Sequence, residues 1–523
     1  MTEGKTSRRA ILGLGIAGAG AAVAVAADKL LRPAIQMSDT AARASAPPAV
    51  RATKKAVPEN SLPGDPNWKI RHLGAQADVE GYASAESVLP GETLDLFVSS
   101  TSPSVQVHAF RLGWYAGDGA REVWNSAPVR TGQQKAAALT SGTNTVYTDW
   151  DPVLTVDTTG WPAGAYLLRL DAESGAQRYV PVVVRSASTT GKIVLKHAVQ
   201  TWQAYNTWGG YDLYIGPGQS YSQRSLVVSL NRPYDMNGAD MLLTYERNLV
   251  KLAESLGLPL AYATGSDIAA DSSLLSGASA LVSPGHDEYW TPAERANVTA
   301  ARDAGMNLAF MGANALFRRT RLSDDGRQVI CYKTSYLSDP MYGVNNALVT
   351  SDWRDAPDPD PESSLIGTIY EGYPANAPFV VTSPSAWVYN GTGVRSGDSF
   401  PNLVGIEYDR VNPAYPLERP IQVLSHSPLT CQGKFSYADS AYYTHSGGAG
   451  VYNCGTMRWV EALYGDQPHG IGGKTPGFVR QVTTNILRAF ADGPAAAKYP
   501  ANDNLDTVHE FIGDPIGNSE SLQ

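Results

Sequence analysis

From residue 191 onward, short apolar strand patterns alternate with amphipathic helix patterns, and few folds can hold such a chain. The periodicity predicts strands over 193–199, 258–263, 278–283 and 307–311. Asp240 is placed to cap a helix running to about Leu256, with Leu242, Tyr245, Leu249, Leu252 and Leu256 on one face. Gly257 ends it. Thr291-Pro292-Ala-Glu294 combines a capping box with proline at the first helical position, which predicts a helix to about Ala304. A last amphipathic helix covers 476–491, capped by Thr475 and stopped by Gly493-Pro494. Strands that alternate with helices join through right-handed crossovers into a parallel sheet.

The texture before Ser186-Ala-Ser-Thr-Thr-Gly191 is different. Alternating runs at 92–98, 105–112, 166–170 and 179–185 are separated by turn signals such as Pro90-Gly91 and Ser174-Gly175. These predict an all-β, immunoglobulin-like sandwich. The expected fold class is therefore multi-domain, a sandwich over 68–187 followed by an α/β domain with a mostly parallel sheet over 188–497. Within the latter, 318–470 is long, turn-rich and partly β. The acidic stretch Asp355-Ala-Pro-Asp-Pro-Asp-Pro-Glu362 reads as a solvated loop, with a calcium loop as the alternative. Residues 498–523 form a tail. With 41 basic and 50 acidic residues, a net charge of −9 argues against a nucleic-acid partner.

Ser7-Arg8-Arg9 precedes an apolar, small-residue run over 11–27, the plan of a twin-arginine export signal. Residues 1–46 are assigned to that signal and its spacer, and 47–67 to a linker. The run is short and weakly apolar for a spanning helix, so the export signal is the only expected contact with a membrane. Periplasm, cell wall or medium is the expected location. Cys331, Cys431 and Cys454 are too few for a disulfide framework, although one bridge and one free thiol is an allowed arrangement.

Open α/β sheets bind ligands at the carboxyl ends of their strands. Three predicted strands end there in reactive residues: Trp202-Gln-Ala-Tyr205-Asn206-Thr-Trp208, Pro284-Gly-His286-Asp287-Glu288-Tyr289-Trp290 and Gly312-Ala-Asn314. Asn231-Arg232-Pro-Tyr234 follows a fourth apolar run. No serine or cysteine occupies the 285–288 elbow, so a nucleophilic hydrolase lacks its nucleophile. Eight histidines, none spaced as H-x-x-x-H, do not suit zinc hydrolysis. A carboxylate, an imidazole, an amide and phenols remain. Phenolate and carboxylate are hard donors, so a metal here is expected to be a hard cation, with ferric iron the natural choice.

These motifs, with Phe110-Arg-Leu-Gly-Trp114-Tyr115 upstream, resemble the large subunit of N,N-dimethylformamidase over most of the chain. The resemblance implies a class I glutamine amidotransferase-like domain whose cysteine nucleophile is lost. It further implies a mononuclear iron held by two tyrosines and one glutamate. By motif, Glu288 is the implied carboxylate ligand and Tyr205 one phenolate. Tyr234 is the best match for the second, with Tyr245 as the fallback. His286 and Asn314 become substrate-orienting or supporting residues, and Lys333 in Cys331-Tyr-Lys333 matches a lysine that assists catalysis. Asp287 replaces the proline usual between the His and the Glu. The export signal is absent from the cytoplasmic family enzyme, which is also longer and has a small partner subunit.

The leading expectation is an exported, iron-dependent amidohydrolase acting on a small-molecule amide or related C–N bond. The rival is a non-catalytic binding protein on a degenerate amidotransferase-like fold that recognises envelope polysaccharide through its Trp- and Tyr-rich cleft. Homo-oligomerisation is left open. With 27 Tyr against 10 Phe, the tyrosine excess narrows to one claim: Tyr205 and Tyr234 are there for a phenolate oxygen that Phe lacks.

Overall fold

The computed structural model describes residues 58–465, 469–508 and 515–517. The export signal, most of the linker and much of the tail lie outside the described residues. Among the described residues, no helix is long and apolar enough to cross a membrane.

The four alternating runs are strands Thr93–Ser100, Ser104–Leu112, Gly164–Ala172 and Gln177–Val184. The first pairs antiparallel with Val79–Ala83 and Pro152–Asp157 to make one sheet. The other three pair antiparallel with one another and with Ala120–Asn125 in a second. Period-two alternation sends Leu94, Leu96 and Val98 inward from one sheet to meet Val105, Val107, Leu168 and Val180 of the other.

The main sheet has seven strands. They are β1 (Ile193–His197), β2 (Leu260–Thr264), β3 (Ala280–Ser283), β4 (Asn307–Phe310), β5 (Ile421–Cys431), β6 (Lys434–Thr444) and β7 (Gly450–Asn453). Their order is β2-β1-β3-β4-β7-β6-β5. The first five are parallel, and the β5–β6 hairpin adds two antiparallel strands at the edge. The parallel strands are buried on both faces, which explains their near-continuous apolar runs. On one face Ile193, Leu195, Ala280, Val282 and Ala309 share a core with helix Thr475–Ala491. On the other, Val194, Leu281, Leu308 and Phe310 pack with Val298 of helix Pro292–Asp303.

Several sequence expectations need correction. The first strand stops at His197, and helix α1 (Val199–Ala204) follows at once. The helix expected over 240–256 is two, Asp240–Tyr245 and Arg247–Ser255, broken at Glu246, whose φ is −127°. Its carboxylate is drawn inward to accept from Trp202 Nε1 at 2.7 Å and Ala198 N–H at 3.1 Å, and it meets His197 Nδ1 at 2.5 Å. At helix Pro292–Asp303 the Thr291 hydroxyl accepts from the Glu294 N–H, but the Glu294 carboxylate turns to Lys196, so the capping box is half-formed. Thr475 lies inside its helix, and Lys474 precedes it without a side-chain cap. The acidic stretch is an exposed loop at Asp355, Asp358 and Asp360, as expected; Asp358 pairs with Arg319 and Asp360 with Arg295 at the surface, whereas Glu362 is buried against Arg354. All three cysteines are free and buried.

Region 318–470 is more regular than its sequence suggests. Besides the β5–β6 hairpin it contains Ile369–Val380 paired antiparallel with Ser399–Arg410. The latter strand carries Glu407 and Asp409, both fully buried.

Candidate functional site

The carboxyl ends of β1, β3 and β4 converge, and backbone contact fixes how closely. A Cβ on Gly312 would lie 2.2 Å from the Gly285 carbonyl oxygen, so the loops after β3 and β4 cross where only glycine fits. Beyond this crossing Asn314 adopts a φ of 57°, a region that asparagine tolerates better than most residues. Its N–H donates to Asp409 at 2.8 Å and its Nδ2 to Glu407 at 3.1 Å. Burial lifts the Asp409 carboxyl to about 6.

Tyr205 follows α1 directly, and the Arg232 guanidinium clamps the loop beyond it. Arg232 donates to the carbonyls of Asn206, Trp208 and Tyr211 at 2.9, 3.1 and 2.9 Å. Trp202 and Trp208 are anchors rather than cleft walls. Trp202 donates to Glu246, and Trp208 donates to Glu80 of the sandwich at 2.6 Å. Tyr214 is presented by an Asx turn in which Asp212 accepts from the N–H groups of Tyr214 and Ile215 at 2.6 and 2.7 Å.

Glu288 is the centre of a buried oxygen cluster. Tyr205 donates to it at 2.6 Å, and Tyr214 lies 2.8 and 2.9 Å from its two oxygens. The Tyr205 and Tyr214 hydroxyls are 2.7 Å apart, and Tyr289 donates to Tyr214 at 2.7 Å. Burial, then the charge of Glu288, holds the Tyr289 phenol far above the ordinary phenol range. Arg318 Nε stands 3.3 Å from Glu288 and its Nη1 pairs with Asp352. His286 Nε2 lies between two carboxylates, 3.4 Å from Glu288 and 3.5 Å from Glu407. The Lys333 Nζ is 3.0 Å from the centre of the Tyr214 ring, and Lys333 itself has a φ of 53°. Apart from Asp352, every one of these site side chains is at most 2% exposed.

Of the residues singled out from sequence, Tyr205, His286, Glu288, Asn314 and Lys333 therefore meet. Tyr234 does not: it hydrogen-bonds Gln203 and lies near Glu86 and Arg327, on the side facing the sandwich. Tyr245 borders the site with its ring edge-on to His286, centroids 5.5 Å apart. Sequence reading missed Tyr214 and Glu407. Asp212 two residues before Tyr214, and Glu407 alternating with Asp409 inside an apolar strand, are the signals that could have found them.

Among the described residues, no group of three or more His, Cys, Asp or Glu is arranged to hold a metal, so a metal here would draw on phenols. The chemistry of the donors fits a hard cation. Glu288 offers a carboxylate, and Tyr205 and Tyr214 offer phenol oxygens, all of them hard donors. Burial pushes the nearby Cys331 thiol up to about 12, which removes it as a thiolate donor.

Fold and site define a multi-domain protein of mixed sheets with a buried phenol–carboxylate–imidazole centre at the end of a parallel sheet. The profile of the family described as N,N-dimethylformamidase beta subunit-like, C-terminal, matches residues 106–471, and the chain belongs to that family. No curated protein matches it. Among solved structures, a Paenibacillus sp. cycloisomaltooligosaccharide glucanotransferase complexed with cycloisomaltoheptaose aligns at 15% identity. That alignment covers 24% of this chain and 17% of the other, with a TM-score of 0.14.

Proposed function

We propose that the protein is an amidohydrolase that opens an amide or related C–N bond at the Glu288 centre with the help of a mononuclear ferric ion. The observation that carries this reading is the convergence of Tyr205 and Tyr214 on Glu288 beside His286, in a chain of this family. Glu288 and Tyr205 are the proposed ligands, together with a second phenol. Tyr245 is the candidate from the family resemblance and Tyr214 the one from distance. A ferric ion bound there supplies Lewis acidity toward a carbonyl oxygen and lowers the pKa of water.

The chain's own groups have distinct tasks. His286, with a carboxylate on each side, carries a proton from the attacking water to the leaving nitrogen. Glu407 holds the imidazole and, through Asn314 Nδ2, the amide beside it. The second hydrogen of that Nδ2 serves the oxyanion, and Lys333 adds positive charge from beyond Tyr214. Burial of the whole set excludes bulk water and strengthens each of these contacts. We further propose that the parallel sheet is of the class I glutamine amidotransferase type without its cysteine, and that the chain is exported by the twin-arginine route.

The test is metal content and the visible spectrum of the purified protein, followed by Glu288→Gln and Tyr→Phe at 205, 214 and 245. Stoichiometric iron with a phenolate charge-transfer band is expected, lost in Glu288→Gln and in Tyr205→Phe. A colourless protein that takes up no iron when offered it would sink the ferric reading. Loss of the band in Tyr245→Phe or in Tyr214→Phe identifies the second ligand.

A further inference from the structure

Directly behind the Glu288 centre lies a second buried ionic cluster that the reaction above does not use. Lys196, the fourth residue of β1, is completely enclosed. Its Nζ donates to both oxygens of Asp287, at 2.9 and 2.8 Å, and also pairs with Glu294. The same ammonium lies 3.6 Å from the centre of the Trp290 ring. Ser283, the last residue of β3, donates its hydroxyl to Asp287 at 2.7 Å. The Asp287 carbonyl accepts from Trp290 Nε1 and from the Leu316 N–H, both at 3.0 Å.

Asp287 separates His286 from Glu288. Its neighbours turn toward Tyr205 and Glu407, while its own side chain turns the opposite way, to Lys196. The peptide that presents both site groups is thus held from behind by one strand (β1), the end of another (β3) and the first turn of helix Pro292–Asp303. We infer that Lys196 is a positioning residue: through Asp287 it fixes the 284–290 loop so that His286 and Glu288 point into one site. This rests on the reading that those two residues belong to the reacting centre. A charged pair is suited to the task because each partner, once buried, strongly disfavours any arrangement that leaves the other alone. Partners one layer behind metal ligands commonly change affinity by about 10–100-fold when removed.

Asp287→Asn is the cleanest probe, since it keeps side-chain size and leaves Lys196 paired with Glu294. Lys196→Gln is the second. Hydrogen exchange by mass spectrometry on the metal-free protein should show at least about tenfold faster exchange over 284–290 in either variant. Protection of helix Thr475–Ala491 should stay unchanged. In iron-loaded protein, chelator should strip the metal at least about tenfold faster from Asp287→Asn than from the wild type. The double variant should add little, because both changes break one linkage. Wild-type loop protection and wild-type iron retention in Asp287→Asn overturn the inference. If the loop loosens in the variants but the wild type takes up no iron, the positioning role stands and the metal reading falls.

Discussion

Replacing Tyr214 with phenylalanine removes one oxygen and little else. The ring, with the Lys333 ammonium 3.0 Å from its centre, keeps its packing. The missing hydroxyl is the hub of the cluster, 2.7 Å from Tyr205, 2.8 and 2.9 Å from Glu288, and the acceptor for Tyr289 at 2.7 Å. The change takes a donor from a buried carboxylate and an acceptor from a buried phenol. A hydrogen bond to a charged group contributes about 1.5–3 kcal/mol, and a stranded buried polar group costs about 1–3 kcal/mol. Tyr214→Phe should therefore lower the unfolding free energy of the metal-free protein by about 3–5 kcal/mol, read as a shift in the urea midpoint. Tyr234→Phe is the control. That residue is half-buried and its hydroxyl bonds a neutral amide, Gln203, so it should cost about 1 kcal/mol. A Tyr214→Phe cost no larger than that of Tyr234→Phe would refute the reasoning, since Glu288 would not be drawing on the phenol.

Further outcomes follow from the same geometry. Glu407→Gln should keep iron and fold yet reduce turnover by about 10²–10⁴-fold, because it unfixes the proton carrier and not the metal; iron content alongside single-turnover kinetics checks this, and loss of iron would move Glu407 into the metal's own shell. Gly312→Ala drives a methyl against the Gly285 carbonyl and should give little folded protein by circular dichroism, while Gly472→Ala, where a Cβ meets nothing within 4 Å, should be silent. Asp409 holds its proton up to about 6 when folded but releases it near 3.9 when unfolded. The folded state thus binds more protons between those values, so stability falls as pH rises from about 4 to 6, by on the order of 3 kcal/mol, and levels off above. Asp409→Asn should remove that part of the slope in urea titrations at pH 4 to 7; an identical slope would mean that the carboxyl is already ionised in the fold.

What could be read from the sequence divides along physical lines. His286, Glu288 and Asn314 each follow a strand of the main sheet within a few residues, and Tyr205 follows the short helix that extends β1. The rule that parallel strands present ligand groups at their carboxyl ends was therefore enough to bring them together. Tyr234 was misplaced for the same reason. Its preceding strand, Val227–Ser229, looks like another member of that sheet, but pairs antiparallel with Gln328–Ile330 in a separate three-stranded sheet. That arrangement turns the loop after it toward the sandwich, whereas Lys333, just beyond Gln328–Ile330, reaches the site. Glu407 and Asp409 stand out by their alternation in one strand, but that pattern does not tell which face of a remote hairpin meets the sheet end; the Asn314 contacts to both carboxylates make that visible. Asp287 is the instructive middle case. Its position between His286 and Glu288 is plain in the sequence, as is its departure from the proline that the family resemblance leads one to expect. The meaning of the charge depends instead on Lys196 in a different strand, whose spacing in the chain predicts no contact. A buried aspartate adjoining a site glutamate would, alone, raise that glutamate's cost of ionisation. Paired with Lys196 and Ser283, it leaves the negative charge of Glu288 to be met by the phenols, Arg318 and whatever cation the site takes.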